Sequence, residues 1–555
     1  MSLRCTSILS LPPILIGGIF LSPHYTDKGD VYMLLMEANH IKYDVRDRLL
    51  MDIDHLNVHQ NDRIGLVGRN GCGKTTLLQI MAGELVSDEG DVNRHADIEM
   101  LPQLKRTDTT KSGGEITQEY IQQALNSHAT LLLVDEPTTN LDTKHIEWVE
   151  KKLREWQGAL VIVSHDRALL DALCSVIWEL KDGKLSEYKG NYSDYAEQKE
   201  MEYQQQQLAF EKYQKEKKQL EEAIRQKEEQ AQRATKKPKN LSSSEARIKG
   251  AKPYFANKQK KLRKTKTAIE TRLANMEQAE KPYELPPVKM GLPYGGTSKN
   301  QIILRAEDIS GKVGQRVLWE KTHFYIRGGD RMVVIGMNGS GKTTLIKKII
   351  NRESGVSISS SVKVGYFAQN LNILNNGRTI LENVQSTSNQ DETTIRTVLA
   401  RMHFFNDDVY KPVEVLSGGE RVKVALSKVF LSDVNMLVLD EPTNYLDLES
   451  LEALEMLLCE YEGTIIFAAH DRRFIENVAN RIMEIKGGQI IDFAGDYGAY
   501  RNYCNQKETD SHQDDLLLLE TKISETLSRL SVEPTAELEA EFQRLIEEKR
   551  KWENK

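Results

Sequence analysis

Short aliphatic runs recur along this chain, and the most regular of them come in pairs. Arg63–Gly68 (RIGLVG) and Arg331–Gly336 (RMVVIG) read as strands, and each is followed, after a glycine-rich loop, by a helical segment such as Thr75–Met81. Leu131–Thr138 and Met436–Thr443 open as uninterrupted apolar strands, and a third pair of such strands ends at His165 and His470. Between the two sets, Phe210, Tyr213, Leu220 and Ile224, then Leu262, Ile269, Leu273 and Met276, fall at heptad-like spacing and predict an antiparallel coiled-coil arm. The stretch Ala196–Thr235 would extend about 60 Å if wholly helical. Two further amphipathic patterns, near Asp514–Leu530 and Pro534–Lys551, predict a short helical extension at the carboxyl end. The fold class expected is therefore α/β: two repeated units at residues 33–194 and 299–504, a linker over 195–298 and an extension over 505–555.

Residues 1–32 do not conform to either repeat. Arg4 followed by the run Ile8–Leu21 superficially resembles a secretory signal, but export would strand the chemistry described below, so initiation at Met33 or Met36 is the expectation. The run Ser7–Leu21 is too short to span a bilayer and is interrupted by Pro12-Pro13 and Gly17-Gly18. With 555 residues, 39% hydrophobic and 28% charged, the chain is long enough for two to four ordinary globular cores. Cys5, Cys72, Cys174, Cys459 and Cys504 form no C-x-x-C pair, which argues against zinc ribbons, clustered iron–sulfur ligation and a disulfide scaffold. A reducing, cytoplasmic setting is expected.

The chemistry lies where each strand meets its loop. Gly68-Arg-Asn70-Gly71-Cys-Gly73-Lys74-Thr75-Thr76 and Gly336-Met-Asn338-Gly339-Ser-Gly341-Lys342-Thr343-Thr344 are phosphate-binding loops in the strand-to-helix context that the motif requires. Their glycines allow backbone N–H groups to curl around phosphates, the lysine adds a point charge, and the threonine hydroxyl takes a place on Mg2+. Downstream, Asp135 and Asp440 end apolar strands where they can hold Mg2+, and the adjacent Glu136 and Glu441 can deprotonate an attacking water. His165 and His470 follow at the same interval of 30 residues in both halves, suited to hydrogen-bonding a terminal phosphate. Ser112-Gly113-Gly114-Glu115 and Ser417-Gly418-Gly419-Glu420 each precede their aspartate by 23 residues. A serine hydroxyl and glycine amides at a helix start form an anion site. Since each half already has its own phosphate loop, the natural client is the nucleotide of the other half; an ordinary capped helix is the simpler alternative.

These loops, Gln103 and Gln369, the Ser-Gly-Gly-Glu motif, Asp-Glu-Pro-Thr, the loops Asn140–Asp142 and Tyr445–Asp447 and the paired histidines together resemble twin ATP-binding cassettes. Two cassettes in one chain, joined by a long charged linker, are similar to the ABC-F family of ribosome-associated ATPases. Stretches such as QNDRIGLVGRNGCGKTTLL, ATKKPKNLS, IKGAKPYFA, ARMHFF and LSGGERVKVAL resemble its Vga-type antibiotic-resistance members, from Met33 to the carboxyl terminus. The resemblance implies ATP and Mg2+ as ligands, with Gln103 and Gln369 joining Thr75, Asp135, Thr343 and Asp440 around Mg2+. It also implies a monomer whose cassettes close on two ATP molecules, and binding at the ribosomal tRNA exit site. There the arm would approach rRNA and P-site tRNA near the peptidyl-transferase centre and displace lincosamide, pleuromutilin or streptogramin A antibiotics.

Two departures from the pattern stand out. The first half is far shorter than the second between its glutamine and its signature serine, so the first cassette is expected to lack most of its helical subdomain, and it carries Lys111 where the second has Leu416. Tyr43 stands where such cassettes stack an aromatic ring on adenine, but the equivalent position in the second half is Gly311.

The linker carries the partner signal. From Arg233 to Lys266 stand 13 basic residues and one acid, Glu245, a local charge of +12 in a chain of net −7, so the remainder carries −19. A tip loop is expected over 236–258, because Pro238 and Pro253 interrupt a continuous helix. Its Lys236, Lys237, Lys239, Arg247, Lys249 and Lys252, with Ser243, Gly250, Ala251, Tyr254 and Phe255, suit a nucleic-acid backbone met by cations and aromatic rings. A solvated lysine-rich face is the plain alternative. Rival readings of the whole chain are a housekeeping translation factor relieving stalled ribosomes, the ATPase pair of a separate membrane transporter, which leaves the basic tip unexplained, and a DNA-repair ATPase, which the absence of zinc-type cysteine pairs disfavours.

Overall fold

A computed structural model describes residues 14–16, 19–21, 23–25, 31–45, 48–103, 113–139, 141–233, 251–276, 301–368 and 371–504, with isolated positions between 506 and 549. It divides into two units, one holding both repeats and the other spanning Tyr188–Pro286.

Each repeat is built on a six-stranded sheet. In the first the order is Lys184–Lys189, Val176–Lys181, Arg63–Val67, Ala159–Val163, Leu131–Asp135 and Ile98–Leu101, and the last five run parallel. The second repeats it, with Val364–Phe367, Met436–Asp440, Thr464–Ala468, Arg331–Gly336 and Arg481–Lys486 parallel and Gln489–Phe493 an antiparallel edge. The strands ending at Asp135, Val163, Asp440 and Ala468 are buried along their whole length, as expected where helices cover both faces of a parallel sheet. That burial is why they appear in the sequence as unbroken aliphatic runs. Because the strands are parallel, their carboxyl ends line up on one edge, and the phosphate loops, acidic pairs and histidines are gathered there.

An antiparallel side sheet flanks each core: Val31–Val45 with Arg48–His59 and Glu89–Arg94, and Ile302–Val313 with Arg316–Arg327 and Val356–Ile358. Residues Pro23–Tyr25 pair antiparallel with Val31–Met33, so part of the segment preceding Met33 adds a strand to the first side sheet. The second repeat carries the helices Ile380–Gln385 and Glu392–Arg401 ahead of its signature helix Gly418–Phe430. In the first, only residues 104–112, outside the described residues, separate Gln103 from the helix Gly113–Leu125.

The second unit is an antiparallel pair of helices, Tyr192–Arg233 and Ala251–Ala274. At 1.5 Å per residue the 42-residue first helix is about 63 Å long. Phe210, Tyr213, Leu220, Ile224, Leu262, Ile269, Leu273 and Met276 are all half-buried among exposed neighbours, which is the seam their spacing predicts. Lys266–Glu228 (3.1 Å) and Arg272–Glu216 (2.8 Å) bridge the pair in antiparallel register. The second helix starts at Ala251, so 251–258 belong to it rather than to a loop. Pro253 falls in its first turn, where a missing N–H costs no hydrogen bond. Lys236, Lys237, Lys239, Ser243, Arg247, Lys249 and Gly250 lie outside the described residues, as does most of 505–555. No helix among the described residues is long and apolar enough to cross a membrane.

Candidate nucleotide sites between the two cassettes

The phosphate loops adopt the same backbone in both repeats. Gly71 and Gly339 sit at φ +78° and +75°, and a Cβ there would meet nothing within 4 Å, so the loop turns left-handed around open space. Lys74 and Lys342 are buried and fold back over their loops: Lys74 Nζ donates to the carbonyls of Gly68 (2.7 Å) and Arg69 (3.0 Å), and Lys342 Nζ to Gly336 (3.0 Å). Thr75 Oγ1 donates to Asp135 (2.8 Å) and Thr343 Oγ1 to Asp440 (3.1 Å). Each site thus joins a hydroxyl and a carboxylate from elements distant in sequence. Thr76 and Thr344 follow in the first helical turn, and Thr344 lines the second site.

Beside these pairs the acidic partners are set on strained backbone. Glu136 and Glu441 have φ of 49° and 52°, in the left-handed region that a side chain disfavours. Their own N–H groups hold them there by donating to Val163 O (2.9 Å) and Ala468 O (3.0 Å) on the neighbouring strand. The result is that each carboxylate faces its histidine: Glu136 Oε1 lies 3.2 Å from His165 Nε2, and Glu441 Oε1 3.2 Å from His470 Nε2.

Electrostatically the two sites diverge. Burial pushes Glu136 up to about 8, with the Lys74 charge opposing and Asp135 adding to the rise. Burial and then Lys74 push His165 down to about 3, so this ring is neutral. At Glu441 burial also pushes upward, but the hydrogen bond and charge of His470 and the charge of Lys342 outweigh it and hold the carboxyl below its ordinary range. The difference is the histidine: the hydrogen bond and charge of His470 act on Glu441, while the Glu136 side chain faces a ring that burial keeps neutral; Lys342 Nζ also reaches His470 Nε2 (2.9 Å) and stands 3.8 Å from Glu441 Oε1.

Each loop faces the other cassette. Around the first, a cavity of about 840 Å3 is lined by Gly68, Asn70 and Gly71 and, from the second cassette, by Ser417, Gly419, Lys423 and Asp447. Ser417 caps the helix Gly418–Phe430, its Oγ accepting from Glu420 N while the Glu420 carboxylate accepts from Ser417 N. Around the second, a cavity of about 500 Å3 is lined by Asn338, Gly339, Gly341, Lys342 and Thr343 together with Glu136, Thr139, Leu141 and His165 of the first cassette. Gly113 and Gly114 begin the helix Gly113–Leu125; Ser112 lies outside the described residues, as does Gln369. Gln103 is exposed just past the strand Ile98–Leu101 and does not line the first cavity.

Four side chains absent from the sequence-based site complete these cavities. Asp447 Oδ2 accepts from the backbone N–H of Asn70 (3.1 Å), and Asp142 Oδ2 from that of Asn338 (3.0 Å), each while capping its own helix. The signal available in the sequence was an aspartate seven residues past Asp135 and Asp440 alike. Arg69 pairs with Glu449 (2.8 Å) at the first site only; the corresponding residues at the second are Met337 and Lys144.

The aromatic asymmetry has a packing explanation. Tyr43 stands opposite Met51 and packs, half-buried, on the first core. In the second cassette the same cross-strand pair is Gly311 and Trp319. Trp319 is fully buried, and a Cβ on Gly311 would meet its ring at 2.4 Å. The ring has moved to the partner strand and inward, leaving Val313, Arg316 and Leu318 at the second cavity.

The sites fit a nucleotide with its magnesium. A lysine that bonds only main-chain carbonyls and neighbouring side chains, glycine amides curled around open space, and a buried Glu441 Oε2 without a hydrogen-bond partner are groups that call for an anion and a water. A threonine hydroxyl and one carboxylate are hard oxygen donors of the kind Mg2+ takes alongside phosphates and water.

Comparison with known proteins agrees with this architecture. A family model described as ABC transporter matches residues 51–111 and 319–444, and a second with the same description matches 178–263. The chain is 32% identical to the erythromycin resistance ATP-binding protein MsrA of Staphylococcus epidermidis, over 82% of this chain and 99% of that protein. It is 30% identical to the ribosome protection protein VmlR of Bacillus subtilis, over 90% and 93%. Among solved structures, the archaeal ribosome recycling factor aABCE1, crystallised with the stalk protein aP1, superposes with a TM-score of 0.57 at 19% identity over 84% of this chain and 92% of that one, a likeness of fold. Twin cassettes, a helical linker and relatives matched along nearly their whole length place the chain in one family: it belongs to the ABC-F ATPases.

Proposed function

We propose that the two cavities are composite ATP sites, one formed by the Lys74 loop with the Ser417 signature and the other by the Lys342 loop with the Ser112 signature. The crossed bonds Asn70–Asp447 and Asn338–Asp142 support this reading, because each ties a phosphate loop to the opposite cassette. Glu136 and Glu441 act as general bases toward water, oriented by His165 and His470, and Thr75 with Asp135, and Thr343 with Asp440, hold Mg2+. Bound Mg2+ neutralises charge on the β- and γ-phosphates. Gln103 joins the first set only if its exposed side chain turns inward.

The protein's work is proposed to be cytoplasmic and ribosomal: it binds at the tRNA exit site and carries the arm toward the peptidyl-transferase centre to protect translation from lincosamides, pleuromutilins and streptogramin A. The observation that carries this is near full-length similarity to a ribosome protection protein and an erythromycin resistance protein. The +12 charge of the linker segment 233–266 supports it, since clustered Lys and Arg neutralise nucleic-acid phosphates.

The deciding experiment is cell-free translation with an antibiotic panel, with and without the protein, paired with ribosome sedimentation in ATP. Protection together with co-sedimentation is expected. Co-sedimentation without protection against any drug would instead support the housekeeping reading. Replacing Lys249 and Lys252 with Glu should weaken sedimentation and flatten its salt dependence while basal ATPase persists, whereas changes at Ser243, Gly250, Ala251, Tyr254 or Phe255 should shift the drug profile.

A further inference from the structure

The residue two places after each histidine crosses to the other cassette. Arg167, in the His165-Asp166-Arg167 segment, makes a two-pronged contact with Glu455: its Nη1 donates to Oε2 at 3.1 Å and its Nη2 contacts Oε1. Arg472, in His470-Asp471-Arg472, donates through Nη1 to Glu150 Oε2 at 3.2 Å. The two pairs are mutual counterparts in the repeat, since Arg167 corresponds to Arg472 and Glu150 to Glu455. They are not surface pairs. Arg167 and Glu455 are 4% and 7% exposed, and the Arg472 and Glu150 side chains 11% and 17%.

The helices that supply these glutamates are the ones that also hold the phosphate loops. Leu448–Glu460, capped by Asp447, touches the first site at two points: its cap accepts from Asn70 N of the Lys74 loop, and Glu455 anchors the residue two places beyond His165. Thr143–Glu155, capped by Asp142, does the same to the second site through Asn338 and Arg472. Each helix is therefore a strut spanning the phosphate loop and the histidine segment of the opposite site. Asn477 Nδ2 supports the first strut by donating to Glu455 Oε2 at 3.1 Å, and Asp471 Oδ1 stands 4.0 Å from Arg167 Nη2.

We propose that Arg167–Glu455 and Arg472–Glu150 are positioning pairs for hydrolysis, each holding the histidine of one site in register with the phosphate loop of that same site by way of the opposite cassette. Two anchor points on one rigid helix fix a distance, which one point cannot do. A histidine and a phosphate loop held at a set separation keep the glutamate's water aligned, and small misplacements of reacting groups are expensive in rate. A planar guanidinium gripped by two oxygens transmits orientation as well as attraction. Each site's chemistry is then completed by a helix of the other half even before any signature serine is considered.

The inference rests on the composite-site reading and deepens it. The test is single-turnover phosphate release by the full chain in two backgrounds, Glu441→Gln, which leaves the first site to hydrolyse, and Glu136→Gln, which leaves the second. Adding Glu455→Gln should lower the rate about tenfold or more in the first background, with the ATP concentration for half-maximal rate changed less than about threefold, and leave the second background within about twofold. Arg472→Gln should show the reverse selectivity. Exchanging the charges, Arg167→Glu with Glu455→Arg, should restore part of the first-site rate. Equal losses in both backgrounds, or a drop in melting temperature that tracks the rate loss, would mean that the pairs merely stabilise the interface, and unchanged rates would overturn the proposal outright. The underlying reading fails separately: the Glu136→Gln, Glu441→Gln double variant would then still hydrolyse ATP.

Discussion

Asp447 uses one carboxylate for two cassettes: Oδ1 caps its own helix by accepting from Ser450 N (3.0 Å), and Oδ2 accepts from Asn70 N (3.1 Å), 377 residues earlier in the chain. Burial alone would raise its pKa, but the Lys423 charge and the bonds from Ser450 and Asn70 outweigh it and hold the carboxyl well below the usual range. The docked phosphate loop of the other half joins Lys423 and Ser450 in satisfying an ionised, buried acid. Closure of the cassettes is thus built into the hydrogen-bond accounting of a helix cap.

Replacing Glu136 and Glu441 together by Gln should abolish repeated turnover while ATP still binds. The amide keeps the shape but cannot take the proton from water, and a general base is worth about 10²–10⁴ in rate. Phosphate release under multiple turnover should fall by that factor, while retention of labelled ATP on the isolated protein should rise.

Crossed phenotypes should follow from the composite cavities. Ser417 and Gly419 line the cavity of the Lys74 loop, so Ser417→Arg should reduce azido-ATP labelling at peptides around Lys74, and Ser112→Arg should reduce labelling around Lys342. Loss of label from the loop in the same half as the mutated serine would contradict the assignment.

Stability should depend on pH through Asp471. Burial, then the neighbouring Asp166 carboxyl, push it up from 3.8 to about 7, while Arg167 opposes the rise and Glu455 adds to it. A raised acid favours the folded protein fully below pH 3.8, and this contribution is lost as pH rises through about 7. Asp471→Asn removes that loss and keeps a side chain able to cap the helix Arg472–Val478. The melting temperature of the variant relative to the parent should therefore climb by a few degrees between pH 4 and pH 8, read by circular dichroism at matched ionic strength.

Gly311→Ala should be destabilising although the position is in a strand, where alanine is ordinarily preferred to glycine. The added methyl would meet the fully buried Trp319 ring at 2.4 Å, and overpacking of this kind costs about 1–3 kcal/mol. Denaturant unfolding should show the loss, and in a Trp319→Leu background, where the space is free, the same Gly311→Ala change should cost less. A Gly311→Ala variant as stable as the parent would mean that the ring yields freely.

How much was legible in the sequence depended on how far apart the cooperating residues are. A phosphate loop is contiguous: its glycines, lysine and threonine are read together because their left-handed turns and the helix they start are local requirements. The same holds for the buried strands, whose aliphatic runs follow from burial on both faces, and for the arm, whose seam follows from the heptad spacing. Repetition then doubled each signal, so that the aspartate, glutamate and histidine of each half stood out at equal intervals.

What only the tertiary structure decided is which groups meet. Arg69 with Glu449, Arg167 with Glu455 and Asn70 with Asp447 are separated by 380, 288 and 377 residues, and no periodicity of a single element links such partners. The second arm helix starts at Ala251, ahead of Pro253, because a proline that interrupts a helix interior breaks nothing in a first turn. Two glutamates with the same sequence neighbours differ in ionisation because the hydrogen bond and charge of His470 act on Glu441, whereas burial keeps His165 neutral beside Glu136, and that is a matter of how each ring is set in the folded site. Local conformational rules and burial patterns are written residue by residue along the chain, but electrostatics and docking act through space, so they are settled only when the two halves close on each other.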